Sequence, residues 1–238
     1  MIRHLSLLAI ALSLLAVPAA AQQALDLGDL SSGLGQNAVM LVLVLTTLSL
    51  APGIAIMVTC FPFVVTVLSI LRQSIGLQQS PPNMLIVSLA IFLTWFIMDP
   101  VLTEAWQIAG RPLSEGQITL EEAFSRGIEP FAAFMQLRTN PDTLSALAEI
   151  APAGSGEPDR LAVLIPSFML SEITRAFEIG FLVALPFLII DLVVSAVLMS
   201  MGMMMVPPAM VALPFKLAFF VVVDGWSLIA EALVRGYQ

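Results

Sequence analysis

The apolar runs of this sequence have the wrong lengths for plain membrane crossings. Ala38 to Leu71 is an apolar block of 34 residues, broken only by Pro52-Gly53 and Pro62. As one helix it would extend roughly 50 Å. Met84 to Met98, "MLIVSLAIFLTWFIM", has 15 residues and would reach only about 22 Å. A simple spanning helix needs about 20 apolar residues to cross a hydrocarbon core near 30 Å. Pro62, Pro186 and Pro214 interrupt the apolar runs, and backbone groups freed by proline must find partners in protein or water. With 59% hydrophobic and 11% charged residues, the chain is far more apolar than a soluble domain, where charge runs near 25%. These constraints predict an all-α fold: membrane-associated helical hairpins packed mostly against other protein, with a small helical insertion in water.

The first residues predict a route into the membrane. Arg3 and His4 make a short positive region, Leu5 to Val17 an apolar one, and "PAAA" ends in small residues. This pattern predicts a signal peptide over 1–21, cleaved between Ala21 and Gln22, in a bacterium, with the following residues on the far side of the inner membrane. His4 is the only histidine and Cys60 the only cysteine. An internal disulfide is excluded. Once His4 is removed, histidine-dependent metal sites and Ser-His or Cys-His nucleophiles are excluded too. The net charge of −8 argues against nucleic acid as a partner. We expect no enzyme activity, cofactor or metal. Asp191 and Asp224 lack the Gly-x-Gly-Asp setting of an intramembrane aspartyl dyad, and helix-end or pairing roles suit them better.

Residues 22–37 form a polar leader, and 38–100 a first helical hairpin closed by Asp99-Pro100. Residues 101–160 change character, with nine acids and four arginines, and read as a helical domain in water. There Thr119 and Glu122 make a capping box, Leu120, Phe124 and Ile128 recur at helical spacing, and Asn140-Pro141 starts a further helix. Two preceding helices place this domain on the periplasmic side. Residues 161–238 form the second hairpin region. Phe61 to Asp99 and Leu185 to Asp224 share a Pro-Phe start, a glycine-bearing turn, a Pro-Pro pair and a closing Asp. Paired broken hairpins are one pointer to transport paths, and chance likeness within so apolar a sequence accounts for the parallel equally well.

Two features carry chemistry. "GMMMVPP", residues 202–208, sets Met203, Met204 and Met205 between a glycine and a proline pair. Three consecutive side chains in a tight turn cannot all face one helical core. Unbranched, polarisable methionine suits an irregular or deforming surface. A ring of such turns would make an apolar plug in a pore. Lys216 is the only lysine. A cation within an apolar helix costs about 2.5 kcal/mol or more and takes a partner. Glu172, Glu178, Asp191 and Asp224 are the candidates, within one chain or between copies.

"LRQSIGLQQSPPN", "SLAIFLTWFIMDPV", "EITRAFEIGF", "PFLIIDLVVSAVLMSMGMMMVPP" and "ALPFKLAFFVVVDGW" closely resemble the FliP family of flagellar type III export gates, from about Ala38 onward. The resemblance implies several copies in a ring-like, pentameric arrangement with FliQ and FliR. Together they would form a channel at the inner membrane, in the flagellar basal body and largely on the periplasmic side, through which unfolded flagellar proteins pass. It also implies that Met203, Met204 and Met205 form a gasket closing the resting channel, and that Glu172 and Lys216 pair between subunits. The alternative class is a small-solute or ion transporter built from two helical hairpins. That would need a polar midplane site, and the sequence offers no polar cluster to make one.

Overall fold

The computed structural model describes residues 53–76, 81–152, 160–203 and 205–237, together with residues 38, 41, 42, 45, 46, 49 and 50. The signal segment with its Ala21–Gln22 cleavage site, the polar leader and Met204 lie outside the described residues. The chain divides into two units, Met1–Pro52 and Gly53–Gln238. The described residues of the first unit are helical.

In the second unit every regular element among the described residues is a helix: α1 (Phe61–Ile75), α2 (Asn83–Ala105), α3 (Leu120–Arg138), α4 (Pro141–Ile150), α5 (Leu161–Ser200), α6 (Pro208–Val222) and α7 (Gly225–Arg235). A π-helical turn, Trp106–Gly110, and a short α-turn, Arg111–Ser114, extend α2. The protein is an all-α membrane protein. Asn83–Ser114 and Leu161–Ser200 are long and apolar enough to cross a membrane, and α6 with α7 adds a third span if the 61° bend between them is crossed as one. Asp224 makes that bend in the left-handed conformation, φ 48°, which aspartate tolerates better than most residues.

Local chemistry explains most of the boundaries. Pro62 lies in the first turn of α1, where its missing N–H removes nothing. Thr119 caps α3 by accepting from the Glu122 amide at 3.3 Å. Asn140 caps α4 through the Asp142 amide at 2.8 Å, with Pro141 as the first helical residue. Asp99-Pro100 does not close α2, which continues to Ala105 before the π-helical turn.

α5 departs furthest from local preference. Its 40 residues rise about 60 Å without a break, although Pro166 and Pro186 both lie inside it. Each proline forfeits one helical hydrogen bond. Packing outweighs that loss, because α5 carries buried residues from Val163 to Leu198. Its main neighbour is α1. Ala176, Gly180 and Ala184 form a buried small-residue stripe on α5, the pattern that allows close approach of membrane helices. At Gly180 a Cβ would come within 2.3 Å of Ile70 Cδ1 and 3.2 Å of Ile70 Cβ. The helices touch there with no room for a side chain.

The expected amphipathic face of α3 is placed differently. Leu120 and Phe124 are exposed, while Ala123, Pro130 and Met135 turn inward. Met135 packs with Leu164 and Phe168 of α5.

Gly180→Val should overpack the α1–α5 contact and cost about 1–3 kcal/mol. A thermal unfolding midpoint in detergent lowered by several degrees is the expected result. An unchanged midpoint would mean the contact is looser than the Ile70 distances require.

Candidate functional site

A half-buried arginine, a buried lysine and one methionine-rich turn stand out, and α5 positions all three. The first cation is Arg138, in the last turn of α3. Its Nε donates to Glu172 Oε1 of α5 at 3.3 Å, and its Nη1 donates to the carbonyl of Gly236, the C-cap of α7, at 2.9 Å. The guanidinium carbon lies 4.0 Å from the centre of the Tyr237 ring. Tyr237 donates its hydroxyl to the other oxygen of Glu172. Glu172 is 0% exposed, so both its oxygens depend on protein donors. Burial, reinforced by the Glu172 charge, pushes the Tyr237 hydroxyl far above its ordinary range and keeps it a donor. Phe63 meets the same ring edge-on at 5.4 Å and Phe134 stacks on it at 6.1 Å. Burial also pushes the Cys60 thiol up to about 12, so Cys60 is a neutral packing residue rather than a reactive thiol.

The second cation is Lys216 of α6, only 6% exposed. Its Nζ donates to Asp191 Oδ2 of α5 at 2.5 Å and to the carbonyl of Ser74, in the last turn of α1, at 2.9 Å. Both cations solve the same problem. The last carbonyls of a helix have no partner within it, and the helix C-terminus carries partial negative charge. Each cation joins one such carbonyl to one carboxylate of α5.

Glu172 and Lys216 do not meet within the chain. Glu172 and the Asp191 that holds Lys216 are 19 residues apart on one helix, about 28 Å of rise. Of the candidate partners for Lys216, the structure brings Asp191 to it. Arg138 and Tyr237, the partners of Glu172, were not evident from the sequence. Arg138 is one of four arginines in its segment, with no spacing to single it out. Tyr237 carried one available signal, as the only tyrosine in the chain.

The methionine turn follows α5. Gly202 takes φ +74°. Met203 N–H donates to Leu198 O at 3.0 Å and Gly202 N–H to Met199 O at 3.1 Å, the paired bonds of a Schellman motif. Pro207 then precedes α6, with Pro208 as its first residue. The preceding hairpin ends α1 likewise, with Gly76 at φ +90°. Met203 is 42% and Met205 97% exposed. Beside the turn, Val193, Val197, Met201, Met203 and Phe215 help line an apolar groove of about 540 Å³.

The profile of the FliP family matches residues 44–233. The chain belongs to the FliP family. It is 47% identical over 236 residues to the flagellar biosynthetic protein FliP of Caulobacter vibrioides, covering 98% of this chain and 89% of that one. Against the protein of the same name from Bacillus subtilis it is 45% identical over 204 residues, covering 84% and 92%. Against that of Treponema pallidum it is 42% identical, covering 84% and 75%. The span matched by the family takes in both cations, both carboxylates and the methionine turn of this FliP-family chain. Gly236 and Tyr237 lie just beyond it.

Arg138→Met leaves Glu172 buried without its cation and should cost about 3–5 kcal/mol. Denaturant unfolding in detergent reads that loss, and Arg138→Met/Glu172→Leu should recover part of it. A single variant as stable as the parent would mean that the pair is solvated.

Proposed function

We propose that this FliP-family chain is a core subunit of the flagellar type III export gate. Family membership gives it a role in flagellar protein export as a membrane component. In our reading several copies form a ring-like, pentameric assembly with FliQ and FliR, and unfolded flagellar proteins pass through the resulting channel. The assembly sits in the inner membrane within the flagellar basal body, largely on the periplasmic side, with residues 101–160 as its periplasmic helical part. The chain reaches that place after signal cleavage between Ala21 and Gln22.

The observation that carries this reading is the methionine turn. The turn starts at a Schellman cap and ends at a proline pair, and Met205 is 97% exposed. A turn anchored at both ends and presenting flexible thioethers suits a seal that must close on itself and yield to a passing chain. Brought together around an axis, Met203, Met204 and Met205 of each copy form that gasket.

Copies are tied by charge. Lys216 has three N–H donors and uses two within its own chain. Its partner Asp191 is 37% exposed, so the pair lies near the surface. The third donor is directed in our reading to Glu172 of a neighbouring copy. The separation of about 28 Å along α5 supports a bridge between chains rather than within one.

Replacing Met203, Met204 and Met205 together by glycine should leave the assembled particle intact but make cells leak small ions. Growth under ionic stress and dye-reported ion entry measure this. Cells that stay tight around a fully assembled variant would remove the gasket role.

A further inference from the structure

Glu172 is completely enclosed in the single chain, so a bridge to a neighbour requires something to uncover it. Two polar groups occupy its oxygens, Arg138 on Oε1 and Tyr237 on Oε2. They differ in how firmly they are held. Arg138 belongs to the 19-residue α3, and the next residue, Thr139, is itself buried and bonded back to Met135 O at 2.7 Å. Tyr237 follows the end of α7 by two residues. Its backbone is held by one bond, from its N–H to Val234 O at 3.0 Å. The remaining hold is the side chain: the hydroxyl on Glu172, the ring under Arg138, and the contacts with Phe63 and Phe134.

We infer that Gly236 and Tyr237 form a latch that keeps Glu172 closed to a second copy of this chain until assembly lifts it. The inference rests on the reading that Glu172 pairs with Lys216 of a neighbour. The exchange is chemically balanced. Lifting the latch removes one neutral hydroxyl donor from Oε2, and an arriving ammonium replaces it with a charge-assisted donor, which is the stronger of the two. Arg138 stays on Oε1, so the carboxylate is never left bare. The Gly236 carbonyl and the Arg138 Nη1 that capped it are both released to water. An unassembled subunit thereby keeps a buried carboxylate satisfied, and pairs with another copy only where a cation is presented to it.

Tyr237→Phe keeps the ring and removes only the hydroxyl. Co-expressed with FliQ and FliR at limiting levels, the variant should shift the equilibrium between free chain and multimer toward the multimer by about tenfold, the order expected for loss of one hydrogen bond to a charged group. Hydrogen exchange on the unaltered protein gives a second readout that does not depend on the variant folding. The amides of Gly236 and Tyr237, bonded to Ala232 O and Val234 O, should be protected in the free chain and exchange freely in the assembly. An unshifted or reduced multimer fraction in a folded Tyr237→Phe variant, or continued protection of the Gly236 and Tyr237 amides in the assembly, overturns the latch. The underlying pairing is tested separately by oxidising a Glu172→Cys/Lys216→Cys double variant within assembled particles. Because the two sites are far apart in one chain, a disulfide between them joins two copies. A covalent ladder supports the pairing, and its absence removes the pairing whatever Tyr237 does.

Discussion

Two cations shared between α5 and the C-terminal ends of other helices hold this molecule together. Lys216 brings α6 and the end of α1 to Asp191; Arg138 brings α3 and the end of α7 to Glu172. Each supplies a helical carbonyl with a partner and pairs a group that is costly to bury alone, the Glu172 carboxylate in one case and the Lys216 ammonium in the other. Neither pair is a strong source of net stability, since desolvating both charges offsets much of their attraction. What they supply is position. Breaking either would leave a charge in an apolar interior, so alternative packings of these long, apolar helices are disfavoured. Together with the close approach of α1 and α5 at Gly180, these pairs fix the register of long, largely apolar helices.

How far this was legible depended on whether a signal was local. The Schellman turn at Gly202, the Thr119 cap and the Asn140-Pro141 start are written in adjacent residues, and the structure contains each. The cost of an apolar-helix lysine pointed to a short set of acids that included Asp191. The partners of Glu172 were hidden because Arg138 and Tyr237 come from distant segments whose meeting depends on tertiary packing. The continuity of α5 was hidden for a related reason. Local rules place breaks at Pro166 and Pro186, but burial along both halves overrides them. Leu120 and Phe124 fail in the opposite sense: their helical spacing was right, yet α3 packs through Ala123, Pro130 and Met135 instead.

The same architecture connects stability to function. α5 carries both carboxylates and ends in the methionine turn, so the geometry that places the charges also places Met203 and Met205. A ring of copies tied through such charges would hold the turns at a common level around its axis, while the thioethers retain freedom to deform. In the proposed reading the chain contributes a path and a seal, and the energy for moving a protein through such a gate comes from other components.

The most direct test of this account is the native mass of the particle formed when the chain is co-expressed with FliQ and FliR in a bacterial membrane and released in mild detergent. The account predicts one heteromeric species containing several copies of this chain, with five the expected number. A single copy, or a simple dimer free of the other two proteins, would contradict it.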